Sequence, residues 1–186
     1  ECNNYQQECH DCPYIYKGGG RKDLSYRTFR KKQKLYSYAP IHFVTCSHWL
    51  KEQAQTSALF EGKSVTNIPN AINTNLFKPM NKKEARAKFM LPEGKKLVLF
   101  GSLKITDKRK GVDSLGVVVF GNQSQQLQEQ LPFHVYPLPY IKNEHEVVNI
   151  YNAVDLFAIP SLEENLPNMI MEAMACGVPC VGFNVG

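Results

Sequence analysis

Apolar residues along the 186-residue chain gather into short runs, and their spacing predicts an alternation of strands and helices. Ile41-His42-Phe43-Val44-Thr45 reads as a short buried strand, and Ser47 is placed to cap a helix beginning at His48 and Trp49. Val65 to Ile68 predicts a second strand, stopped by Pro69-Asn70. A short helix over Lys82 to Phe89 ends before Leu91-Pro92-Glu93-Gly94. Beyond it the pattern predicts strands Lys96–Phe100 and Gly116–Phe120, helix Glu144–Tyr151, strand Leu156–Ile159, helix Pro167–Ala175 and strand Pro179–Phe183. Such a beat of apolar strands and amphipathic helices predicts an α/β fold built on a parallel sheet.

Polar and turn-forming stretches divide this pattern. Residues 13–23, with Gly18-Gly19-Gly20, read as a loop, and a basic helix follows from about Ser25 to Ala39. Residues 69–79 are turn-rich and polar, and they predict an interdomain linker between residues 1–68 and 80–186. Between Phe100 and Gly116 a parallel crossover needs a helix, yet Lys110-Gly111-Val112-Asp113-Ser114-Leu115 is too short to hold one. The expectation is that a stretch is missing near Ser114, and that the domain ending at Val185-Gly186 lacks a covering helix.

Composition narrows the class. The 43% apolar and 21% charged content is that of an ordinary soluble globular protein. No apolar run is long enough for a membrane-spanning helix, and nothing near Glu1 resembles a signal peptide, so a cytoplasmic location is expected. Charge is uneven. Up to Pro79, eleven Lys and Arg stand against six Asp and Glu, and beyond it eleven stand against eleven. The excess concentrates in Arg27, Arg30, Lys31, Lys32 and Lys34. A solvated helix face accounts for it, as does a patch for anionic lipid headgroups at the membrane's inner face or for a phosphate-bearing acceptor. Nucleic acid ranks last as a partner, because no nucleic-acid motif is present.

The six cysteines fall into two groups. Cys46, Cys176 and Cys180 sit among apolar neighbours and read as small core residues. Cys2, Cys9 and Cys12 crowd together with His10 between the last two, a spacing that can offer three thiolates to one structural zinc ion. His10, or a ligand upstream of Glu1, would complete the tetrahedron. A local disulfide with one spare thiol, or three reduced structural cysteines, fits the spacing as well. The other four histidines, His42, His48, His134 and His145, read as ordinary packed or solvated residues, and Trp49 reads as core.

The densest signal runs from Pro160-Ser161-Leu162-Glu163-Glu164-Asn165-Leu166-Pro167-Asn168 to Met171-Glu172-Ala173-Met174-Ala175-Cys176-Gly177-Val178-Pro179. A strand ends at Pro160, an acidic loop follows, and a helix begins near Pro167, with Gly177 suited to its C-terminal cap. Ile170, Ala173 and Met174 predict its apolar stripe. A helix start at the carboxyl end of a parallel sheet attracts phosphate, and carboxylates there accept hydrogen bonds from sugar and ribose hydroxyls. On spacing alone, Glu163 and Glu164 could merely favour the helix start and Glu172 could face solvent.

This segment resembles the signature of family 4 (group 1) retaining glycosyltransferases, which have the GT-B fold. It matches at Pro160-Ser161, Glu164, Glu172-Ala173 and Gly177-Val178-Pro179. Ile68 to Phe77 is similar to that family's linker, Gly101 and Lys110-Gly111 to its phosphate-binding segment, and Tyr151-Asn152-Ala153-Val154-Asp155 to the motif before its signature strand. The cysteine segment, Asp23-Leu24-Ser25 and the basic helix resemble glycosyltransferases of bacterial exopolysaccharide clusters, including the colanic acid type.

The resemblance implies a Rossmann-like donor domain over residues 80–186, preceded by the tail of an acceptor domain. It implies transfer of a sugar, with retention, from a nucleotide-diphosphate donor to a glycan or lipid-linked acceptor in polysaccharide biosynthesis. Glu172 would hold the ribose hydroxyls. Glu164 would face the donor sugar beside the backbone N–H groups of Asn165 and Leu166. Lys110, with Arg109, would neutralise the diphosphate, Gly101 would let backbone approach it, and Tyr140 and Ile141 would flank the base. Two cations and a helix start would stabilise the leaving group, a step that calls for no metal cofactor. Ser102 stands where the family has Arg, which leaves Arg109 as its substitute. The fragment alone is expected to be inactive. Rival readings are a non-catalytic nucleotide-sugar binding module, a phosphorylase or hydrolase on the same fold, and a zinc-organised interaction domain.

Overall fold

The computed structural model describes residues 2–15, 23–100, 135–138, 141–162 and 164–185. The expected strand Gly116–Phe120 and the segment around Ser114 lie outside them. Two compact units meet in sequence at Pro69 and Asn70.

In the first unit a 3-10 turn, Asn4–Gln6, precedes helix α1, Leu24–Tyr38. Asp23 caps α1 by accepting the Tyr26 N–H at 2.9 Å, and it also accepts the Ser25 hydroxyl at 2.6 Å and the Cys12 N–H at 3.0 Å. Those donors, the Ser25 hydroxyl foremost, hold its carboxyl at about 2, well below the usual carboxylate range. Strand β1, Phe43–Thr45, then leads to helix α2, His48–Thr56, whose N-cap Ser47 accepts the Leu50 N–H at 3.0 Å. Strand β2, Val65–Asn67, returns parallel to β1 in the register Phe43 to Val65 and Thr45 to Asn67. The connecting helix is what a parallel pair requires. Tyr36, Phe43 and Phe60 pack together, with ring centroids 4.4 to 6.1 Å apart. Trp49, expected in the core, is 41% exposed.

The second unit begins at Asn70 and takes in most of the stretch read as an interdomain linker. Phe77 is buried in its core, so residues from Asn70 onward pack as part of this unit. Helix α3, Lys82–Lys88, is capped by Asn81. Strand β3, Val98–Phe100, helix α4, Glu144–Ala153, strand β4, Leu156–Ile159, helix α5, Asn168–Ala175, and strand β5, Cys180–Gly182, follow. The three strands form a parallel sheet in the order β3-β4-β5, with Leu99 opposite Phe157 and Ala158 opposite Val181. The central strand β4 is apolar throughout because a parallel sheet covered on both faces leaves no side for polar residues. Phe157, Ala158 and Ile159 are all buried there.

One buried cation ties the base of this sheet together. Arg86 of α3 donates to the carbonyls of Ala153 at 2.8 Å, Pro92 at 3.1 Å, Glu93 at 2.7 Å and Lys95 at 3.1 Å. Its remaining amine reaches Asp155 at 2.8 Å, and Asp155 also accepts Lys82 at 2.9 Å and the Leu97 N–H at 2.9 Å. The Asp155 N–H donates to Leu97 O at 2.8 Å, so residues 97 and 155 lock together just before β3 and β4 start. Lys96 and Leu97, expected in β3, belong to this junction instead.

Helix α5 ends as its glycine predicts. Gly177 has φ +77°, its N–H donates to Met174 O at 2.9 Å, and the Val178 N–H donates to Ala173 O at 3.0 Å. This pair of bonds satisfies the last carbonyls of the helix and needs a left-handed residue at position 177. The apolar stripe differs from expectation. Ala173 is fully buried and Ile170 and Met169 pack on the core, but Met174 is 64% exposed. The stripe turns with the helix onto Cys176 rather than Met174.

Candidate functional site

The segment from β4 to α5 is assembled from a strand end, a loop under backbone strain and a helix start. Ser161, 1% exposed, closes the strand, and its hydroxyl donates to Glu164 Oε1 at 2.7 Å. The first acid of the signature is thereby tied back to the strand from which its loop departs. Leu166 has φ +47°, a left-handed conformation that costs a residue with a Cβ roughly 1–2 kcal/mol. Its place directly before proline is a further steric constraint. Observed strain of this kind clusters at functional sites.

Pro167, expected inside the first turn of α5, is its N-cap, with φ −66° and an extended ψ of 128°. Proline has no N–H and no polar side chain, so α5 starts without a side-chain cap. The Ile170 N–H turns back to Pro167 O at 3.1 Å. An uncapped helix start with its positive dipole end favours an anion. Asn168, the first helical residue, accepts Asn70 Nδ2 at 2.9 Å.

Glu172 lies in the second turn of α5 and is half-buried, so the solvent-face alternative does not describe it. The Tyr151 hydroxyl of α4 donates to its Oε2 at 2.8 Å. Tyr151 is 2% exposed, with its ring edge-on to Phe157 and tilted against Phe77. Burial above all, with the charge and hydrogen bond of Glu172, pushes its phenol far above the ordinary value. The phenol is therefore a permanent donor at this position. Burial likewise raises the Cys176 thiol, to about 11, and the Cys180 thiol, which keeps both as uncharged packing groups.

Of the residues expected to build a donor site, Glu164, Asn165, Leu166 and Glu172 stand on this one loop and helix. Ile141 lies just before α4, where it lines an open cavity of about 770 Å³ with Lys88, Phe89 and His145. Gly101, Arg109, Lys110 and Tyr140 lie outside the described residues. The sequence reading did not single out Ser161 as the anchor of Glu164 or Tyr151 as the donor to Glu172. Both stand in the quoted motifs, but the Tyr151–Glu172 contact joins two helices and leaves no periodic trace, and the Ser161–Glu164 contact lies within an irregular loop.

Cys2, Cys9 and Cys12 are half-buried free thiols. Burial first, then the charges of Cys2 and Cys12, raise the Cys9 thiol. Among the described residues, no group of three or more His, Cys, Asp or Glu side chains is placed to hold a metal ion. His10 stands 3.3 Å from Asp11, and the Cys12 N–H donates to Asp23 at 3.0 Å. No helix among the described residues is long and apolar enough to cross a membrane.

Comparison with known proteins places this geometry in a family. Residues 94–186 match the family described as Glycosyl transferases group 1. The D-inositol 3-phosphate glycosyltransferase of Mycolicibacterium smegmatis is 31% identical over 138 residues, which is 62% of this chain and 31% of that protein. Among solved structures, sucrose-phosphate synthase from Thermosynechococcus elongatus superimposes with a TM-score of 0.70 at 21% identity, over 92% of this chain and 47% of that one. Anabaena Alr3699/HepE, solved in complex with UDP and glucose, gives 0.59 at 19% identity, over 84% and 48%. These likenesses show the GT-B fold that the strand and helix pattern and the signature led one to expect. The chain spans about a third of the curated relative and about half of each solved structure.

Proposed function

Because this chain belongs to the glycosyl transferases of group 1, we propose that its second unit holds the nucleotide-diphosphate sugar donor of a retaining transferase. The whole protein would then move a hexose-type sugar onto a glycan or lipid-linked acceptor in polysaccharide biosynthesis. The observation that supports this most directly is the pair of anchored acids around the uncapped start of α5. Glu164 is held by Ser161 and Glu172 by Tyr151, with the strained turn at Leu166 between them.

In this reading Glu172 accepts the ribose hydroxyls, and Glu164 meets hydroxyls of the donor sugar beside the backbone of Asn165 and Leu166. The diphosphate is met by the α5 N-terminus together with Lys110 and Arg109, Gly101 lets backbone approach it, and Tyr140 and Ile141 flank the base. Departure of the nucleotide diphosphate builds charge on the β-phosphate oxygen. Fixed positive groups stabilise that charge more than they stabilise the bound donor, which is what accelerates the step. The acceptor hydroxyl then attacks from the face the nucleotide left.

Helix α1 supports a place for the acceptor at an anionic membrane surface. Leu24, Arg27, Lys31, Lys34, Leu35 and Tyr38 recur at helical spacing on the face opposite buried Phe29. All six are exposed, Leu24 by 68% and Tyr38 by 72%. Exposed cations interleaved with apolar side chains suit lipid headgroups and suit a protein core poorly.

The donor reading is tested by thermal shift of the whole protein with UDP, GDP and ADP and their sugar conjugates. At least one should stabilise the parent, and Glu172→Ala should lose roughly 1.5–3 kcal/mol of binding, the worth of hydrogen bonds to a charged group. A Glu172→Ala variant that binds as tightly as the parent ends the assignment.

A further inference from the structure

We infer that Tyr151 is a positioning residue for the donor site: its hydroxyl holds the Glu172 carboxylate in the orientation that receives the ribose diol. The inference rests on the role of Glu172 proposed above and extends it to a residue that touches no ligand.

The geometry separates a fixed partner from a movable one. The Tyr151 ring is wedged between Phe77 and Phe157, and the helix that bears it is itself anchored. Asn152 accepts the Met80 N–H at 2.6 Å and donates to Lys78 O at 3.1 Å, while Lys88 donates to Asn149 at 2.8 Å. The phenol oxygen therefore has one place to be. Glu172, by contrast, is half-buried on a long side chain whose rotamers are costly to freeze. One hydrogen bond from a rigid donor to Oε2 removes much of that freedom before any ligand arrives.

The same bond leaves capacity for a ligand. An ionised carboxylate accepts at about four positions, and the hydroxyl of Tyr151 uses one of them. Among the described residues no other side chain donates to Glu172. Tyr151 can only donate here, since its proton is retained, so the bond does not reverse when a diol donates to the same carboxylate. A preordered acceptor binds more tightly than a mobile one because the ordering cost is met in folding.

The competing account is a strut that merely joins α4 to α5. Titration calorimetry on the whole protein separates the two, using UDP, GDP or ADP, whichever the parent binds, and the 2′,3′-dideoxy form of the same nucleotide. Tyr151→Phe keeps the ring and its packing. It should raise Kd for the ribose diphosphate about tenfold while leaving Kd for the dideoxy form unchanged within about twofold. Glu172→Ala should show the same selectivity. Equal weakening of both ligands by Tyr151→Phe makes it a strut and overturns the inference. So does no effect of Tyr151→Phe where Glu172→Ala is selective, and that outcome leaves the role of Glu172 standing. If Glu172→Ala shows no selectivity, or the parent binds none of the three, the role of Glu172 fails and the inference fails with it.

Discussion

Replacing Arg86 by alanine should cost the second unit about 3–5 kcal/mol, the range for removing one partner of a buried ion pair. The site explains the size. Arg86 is 4% exposed, and its guanidinium serves four carbonyls and one carboxylate. Deletion leaves the carbonyl of fully buried Ala153 without its donor and Asp155 with one fewer cation. Domains of this size have roughly 5–15 kcal/mol in total, so the loss is a large fraction of it. Arg86→Lys keeps the charge but not the planar fork, and it should lose about half as much. Urea unfolding gives the global figure, and amide exchange at Leu97 and Asp155, which bond each other's ends of β3 and β4, gives the local one. With a urea slope of about 1–3 kcal/mol per molar, the midpoint of Arg86→Ala should fall by at least about 1 M. A midpoint within about 0.3 M of the parent, with unchanged exchange at both amides, would refute the claim that this cation organises the sheet.

Two further outcomes are expected. Burial works against the charged form of Asp155, but the Leu97 N–H, Lys82 and Arg86 outweigh it and hold the carboxyl at about 2, below its ordinary 3.8. Because the folded value is the lower one, the stabilisation is fully present above about 3.8 and drains as pH falls through about 2. Protection of the Leu97 amide should therefore fall across that window in the parent and not in Asp155→Asn; a parallel fall in both variants would assign the acid sensitivity elsewhere. For α1, the whole protein should cosediment with vesicles containing phosphatidylglycerol and not with phosphatidylcholine alone. Arg27→Gln with Lys31→Gln and Lys34→Gln should lower partitioning roughly 100-fold, from about 1 kcal/mol per cation. Binding that ignores lipid charge would remove the membrane from the proposed function.

Much of the fold was legible from local order. Ser47, Asn81 and Asn143 stand at helix starts, Gly177 at a helix end, and the apolar runs at the strands. These features act within a few residues, so their chemistry is written in adjacent letters. The parallel α/β class followed from the strand and helix beat, and the GT-B expectation from the family resemblance carried by one ordered signature.

What the sequence did not disclose are contacts between residues far apart along it. Nothing in the short polar helix at residues 82–88 marks Arg86 as buried, because its partner Ala153 lies 67 positions away. Met174 and Trp49 are apolar letters that the packed helices leave outside, and Phe77 lies inside in a stretch whose composition reads as a linker. Gly182 has no turn to justify it, yet a Cβ there would stand 2.8 Å from the Ile159 carbonyl oxygen. Tyr151 and Glu172 sit 21 positions apart and meet because α4 and α5 pack against each other. Local sequence determined which elements form and where they stop, since those choices depend on near neighbours. Which polar group ends up facing which was decided only when burial left each buried donor and acceptor to find whatever partner the packing brought within reach.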